Sequence, residues 1–137
     1  MSVPFHYLDL RTFCYGTESA ERVESALRRL LPEDVAIERM ESEGHFGDTI
    51  SVFSARVERA DEIRHVLEEL RDAGVLDEVG RELDDRLDDN NSLFVHLDKQ
   101  AAAQGTLALG EGIALRGKVE AYPATREAAL ANVREAL

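Results

Sequence analysis

The apolar residues of this chain change their spacing along its length, and that change limits the folds open to it. In TISVFSARVE (49–58) apolar side chains fall at every second position, the period of a strand with one buried face. From Ala60 to Asn91 the spacing turns helical: Ile63, Val66, Leu67 and Leu70 form one stripe and Leu76, Val79, Leu83 and Leu87 a second, with a break near Gly74. Two helices, or one kinked helix, are predicted there. FHYLDLRTFCY (5–15), rich in aromatic residues, reads as a strand. Thr17 is placed to cap a helix over ESAERVESALRRLL, where Ala20, Val23, Leu27, Leu30 and Leu31 repeat at helical spacing and Pro32 ends the run.

VAIERMESE (35–43) alternates through Val35, Ile37 and Arg39, and the turn chemistry of GHFGD joins it to 49–58 as a hairpin. SLFVHLD (92–98) is a further strand and Lys99 to Gln104 a short helical turn. A second hairpin is predicted from Gly105 through GEG to GIALRGKVEAY. Beyond Pro123, ATREAALANVREAL reads as a last helix with Leu130, Val133 and Leu137 on one face. Hairpins mixed with helices, without regular β-α alternation, favour an α+β fold: one domain over residues 1–137, a mainly antiparallel sheet with helices packed on one side.

Charge adds a second constraint. The chain holds 28 acidic and 16 basic residues, a formal net charge of −12, and arginine outnumbers lysine by 14 to 2. Acids crowd the presumed helices, where residues 60–91 carry twelve acids against four arginines. Such a balance suits a halophilic protein, because at about 1 M salt the Debye length falls to about 3 Å and an acidic surface repels itself little. A lone cysteine, Cys14, in a strand-like run fits a buried thiol in a reducing compartment. The N-terminus lacks the pattern of a secretory signal and no apolar run nears the roughly 18 residues of a membrane span, so a cytoplasmic location and no membrane partner are expected.

No catalytic signature is visible. The four histidines lie in separate elements without metal-binding spacing, and no nucleophile elbow, phosphate loop or dinucleotide fingerprint occurs. DDRLDDNN lacks the glycine and ligand alternation of a calcium loop. His45 and Asp48 in EGHFGD could form an acid/base pair, but a structural turn explains them as well. The expectation is a protein that is not an enzyme and needs no cofactor or metal.

Both lysines, Lys99 and Lys118, fall in one stretch. From Phe94 to Arg126, Lys99, Arg116, Lys118 and Arg126 face only Asp98, Glu111 and Glu120, a local reversal of the overall charge. Arg116 and Lys118, two apart on one strand, point from the same face, as contacts to successive phosphates require. Lys99 and Gln100 open a short helix, whose N-terminus favours an anion. The competing reading is that these cations pair with neighbouring Asp and Glu.

Three pieces of the chain, HYLDLRTFCYGTESAERVESALRRLLP, EGHFGDTISVFSARV, and FVHLDKQAAAQGTLAL with its sequel KVEAYPATREAA, resemble an archaeal family of small RNA-binding proteins predicted to be exosome subunits. The most specific element is DKQAA followed by a small-residue stretch and AYPATRE. The resemblance implies an α+β fold likened to the double-stranded RNA-binding domain, RNA as partner, and exosome proteins alongside it. Carried over position by position, it points to Arg11, His45, Gly47, Lys99, Gln100, Arg116, Lys118 and Arg126 as surface contacts. The chain departs from that family in having almost no lysine. The alternative is an assembly or adaptor protein, self-associating as a homodimer through the charge-poor stretch AAAQGTLALGEG.

Overall fold

The structure, a computed structural model, describes residues 3–43 and 47–137. Five strands form one antiparallel sheet: β1 (Phe5–Cys14), β2 (Glu38–Glu43), β3 (Thr49–Val57), β4 (Ser92–Asp98) and β5 (Gly112–Val119), ordered β2-β3-β1-β5-β4. Helices among the described residues are α1 (Ala20–Arg28), α2 (Ala60–Asp72), α3 (Val75–Arg81), α4 (Leu83–Arg86), α5 (Lys99–Ala103) and α6 (Arg126–Ala136). This is the expected α+β arrangement.

Period-2 alternation decides which face of the sheet is covered. Leu8, Leu10, Thr12 and Cys14 of β1 are buried, and the register carries that face outward to Val57, Ala55, Phe53 and Ser51 on β3. On the other side it continues to Leu115 and Ile113 of β5, then to Val95 and Leu97 of β4. The helices lay their apolar stripes against it: Val23, Ala26 and Leu27 from α1, Ile63, Val66, Leu67 and Leu70 from α2, Val79 from α3, Ala129 and Val133 from α6. The break at Gly74 is a left-handed turn at φ +80, which separates α2 from α3.

Three expectations need correction. The cap of α1 is Ser19, whose Oγ accepts from the Arg22 amide, and not Thr17. β2 begins at Glu38 and not at Val35, because the Arg28 guanidinium donates to the carbonyls of Pro32 and Val35 at 2.9 and 2.7 Å and draws that segment inward, with Val35 buried. The hairpin from Gly105 does not form. Leu107 turns into the core, and the segment meets the outer edge of β4 only at the Leu97–Leu109 bridge, with Asp98 and Gly110 amides donating to Ala108 and His96 carbonyls. With Ala102 and Leu107 both buried, the small-residue stretch serves the chain's own packing. Cys14 is buried and free, as anticipated.

Candidate nucleic-acid interface

The alternate residues of every strand lie on the opposite face of the sheet, and the register sets them in rows. One row runs Arg56–Asp9–Arg116–Phe94 across β3, β1, β5 and β4. Its neighbour runs Glu38–Ser54–Arg11–Ala114–His96 across all five strands. Met40, Val52 and Phe13 make a third, and Tyr7 stands beside Lys118 in a fourth. A groove of about 870 Å³ follows this face, lined by residues of all five strands and by the 34–36 segment. Strands lie about 4.8 Å apart, so the face is roughly 19 Å across.

The chemistry of this face differs from that of the chain as a whole. Arg11, Arg56, Arg116 and Lys118 stand among Asp9, Glu38 and Asp98 on the strands, and Asp34, Glu58 and Glu62 also line the groove; Asp98 is turned away to cap α5, accepting from the Ala101 amide at 2.9 Å. Asp9 sits between two arginines. Arg56 grips it with two hydrogen bonds of 2.8 and 2.9 Å, and Arg116 donates a third at 3.1 Å. Partial burial alone would push the Asp9 carboxyl up, but these bonds and charges together hold it below the usual carboxylate range. The Arg56 guanidinium also lies over the Tyr7 ring, 4.0 Å from its centroid, while Arg11 stands 5.5 Å from the centroid of Phe13.

The structure gathers three of the sequence-predicted residues, Arg11, Arg116 and Lys118, on this one face. Lys118 reaches along it to the Asn90 carbonyl. The others are elsewhere. Lys99 is buried, only 9% exposed, with its ammonium 2.8 Å from the Glu18 carboxylate and 3.0 Å from the Phe13 carbonyl. It holds α5 to β1 and the start of α1, so a surface contact through its ammonium would require that pair to break. Gln100 is exposed beside a small cleft with Thr17, Ser19 and Arg22. Arg126 donates to the carbonyls of Leu87 and Asp84, both at 2.6 Å, and so ties α6 to α4. Gly47 stands in the β2–β3 connection at φ +81, and His45 lies outside the described residues. Among the described residues no group of three or more His, Cys, Asp or Glu could hold a metal ion, and no helix is long and apolar enough to cross a membrane.

A family model described as RNA binding matches residues 7–119, which include every strand described here except the first two residues of β1. The chain belongs to this RNA-binding family. It is 37% identical over 143 residues to the RNA-binding protein PAB1135 of Pyrococcus abyssi, covering 95% of this chain and 92% of that one. Among solved structures, Mth689, a DUF54 protein from Methanothermobacter thermautotrophicus, is 38% identical with a TM-score of 0.79 over 96% of each chain. Protein AF2318 from Archaeoglobus fulgidus matches at a TM-score of 0.86 and 26% identity, over 97% of this chain and 99% of that chain.

For a member of that family, sequence reasoning overlooked half of the open face. Asp9, Arg56, Tyr7, Phe13 and Phe94 stand there beside the predicted cations. A signal was present in the polar half of the β1 alternation, where Tyr7, Asp9, Arg11 and Phe13 interleave with the buried Leu8, Leu10 and Thr12. Read as the solvated side of a strand, it passes unnoticed; read as a face, it is a charged and aromatic one.

Proposed function

We propose that this chain binds RNA across the open sheet face, gripping backbone and shape more than sequence, and that it works in RNA processing or degradation alongside exosome proteins. One observation carries the placement: a chain of net charge −12 sets Arg11, Arg56, Arg116 and Lys118 on a single face of its sheet. Cations so placed meet phosphates at several points at once and fix register without reading bases. Four such contacts give a salt slope of about −3 in log affinity against log salt. Lys99 and Arg126 support the architecture behind that face, through the Glu18 pair and the Leu87 and Asp84 carbonyls.

Fluorescence anisotropy with labelled RNA over a potassium series tests the reading. The triple variant Arg11→Glu, Arg116→Glu, Lys118→Glu should lose binding by at least a hundredfold at the lowest salt, in protein that circular dichroism shows to be folded at the assay temperature. Equal affinity in parent and variant would remove the proposal. The exosome link is tested separately, by mass spectrometry of co-purifying proteins with and without nuclease; absence of exosome subunits in both arms would remove that part alone.

A further inference from the structure

We infer that the RNA taken by this face is single-stranded, and that the Arg56 guanidinium, held over the Tyr7 ring, is a stacking platform for one of its bases. The inference rests on the RNA-binding reading and specifies its substrate. A salt bridge alone would leave a guanidinium free to swing about its carboxylate. Arg56 is instead fixed from two directions, by the fork to Asp9 at 2.8 and 2.9 Å and by the Tyr7 ring at 4.0 Å. The phenol ring lies on one side of it, and about half of the side chain remains exposed, which leaves room for a ligand. A planar cation held in this way offers a base both a surface to stack on and a positive charge.

The same row continues through Arg116 to Phe94 on β4, and Phe13, 38% exposed, stands two residues beyond Arg11 on β1. Planar groups therefore lie at both ends of a row that crosses four strands, with the cations Arg11, Arg116 and Lys118 between and beside them. Paired bases inside an A-form duplex present no faces to such groups, because each is already stacked on its neighbours, and duplex recognition works by phosphate and 2′-hydroxyl contacts across the shallow groove. Unpaired bases can splay onto them. Stacking of this kind tolerates any base. Asp9 is the positioning residue: it touches no ligand but fixes both Arg56 and Arg116.

The test compares an unstructured oligoribonucleotide with a blunt RNA duplex of the same length, by anisotropy, against the parent protein and two variants. The parent should bind the single strand at least tenfold more tightly. Arg56→Lys keeps the charge and loses the plane, so it should weaken single-strand binding about fivefold or more while the salt slope stays at the parental value. Phe94→Ala should do the same without any change of charge, and thermal unfolding of each variant checks the fold. Duplex bound as tightly as single strand, or both variants within twofold of the parent, would overturn the inference and leave the RNA-binding reading standing. Binding of neither RNA would overturn that reading and the inference with it.

Discussion

Replacing Lys99 with methionine should destabilise the protein and leave its affinity for RNA intact. The ammonium makes two contacts, to Glu18 at 2.8 Å and to the Phe13 carbonyl at 3.0 Å, and its side chain is 11% exposed. Methionine refills most of the volume, so the loss is chiefly polar. An acceptor left unpaired at a buried site costs about 1–3 kcal/mol, and the Phe13 carbonyl, at the end of a central strand, falls within that range. Glu18 loses its counter-charge but keeps the Tyr15 amide at 3.1 Å and remains 21% exposed, so water recovers part of its solvation. The total is therefore about 2–3 kcal/mol, below the roughly 3–5 kcal/mol of breaking a fully buried pair.

For a chain of 137 residues that corresponds to a fall in Tm of about 10 °C. The pH dependence carries the same signature. Burial works to raise the Glu18 carboxyl, but hydrogen bonds from Lys99 and the Tyr15 amide, with the lysine charge, bring it below its ordinary value. A depressed folded-state pKa contributes stability that is full above the unfolded value and is lost as pH falls through the folded one. The difference between parent and Lys99→Met should thus be largest near neutrality and shrink below about pH 4. Urea unfolding at a series of pH values, with anisotropy on folded protein at the lowest temperature, measures both. Stability within 0.5 kcal/mol of the parent, or a loss of RNA affinity beyond about threefold in folded protein, would refute the account of Lys99 as an internal tie.

Two further predictions concern the frame around the face. Gly112→Ala should cost about 2–4 kcal/mol by urea unfolding, since Gly112 sits at φ +118 and an added Cβ would stand 2.4 Å from the Lys99 Cβ. Asp9, Glu18 and Glu69 are all held below their ordinary values, Glu69 by the Arg29 hydrogen bond against some burial, so their contribution persists at neutral pH and fails only in acid; circular dichroism should show unfolding beginning below about pH 4.

Periodicity exposed most of the architecture. The helical stripes of 60–91, the β2–β3 hairpin and the α+β class follow from apolar spacing, which local geometry enforces. The second hairpin misled because small residues satisfy a turn pattern equally well whether they pair or pack, and only the burial of Leu107 decides between them. Charge was harder to read. Counting along the chain grouped Lys99, Arg116, Lys118 and Arg126, yet Lys99 finds its partner 81 positions away, in Glu18. Arg116 meets Asp9 across a separation of 107. The face itself draws on all five strands, so its members Arg11 and Arg56 lay outside any local window.

The uneven division of charge between the two sides of the sheet also governs how a polyanion can approach. Glu21, Glu24, Asp61, Glu68, Asp72, Asp77 and Glu78 are exposed on α1, α2 and α3, behind the sheet, interspersed with Arg22 and Arg71, while Arg11, Arg56 and Arg116 stand in front. Under the proposed placement of RNA on the open face, a strand arriving from the rear meets the acids of α1, α2 and α3 and one arriving from the front meets Arg11, Arg56 and Arg116, so the approach has a heading. In dilute buffer that selection acts at a distance; in molar salt it contracts to about 3 Å and operates only on touch, sorting collisions by outcome and no longer by aim.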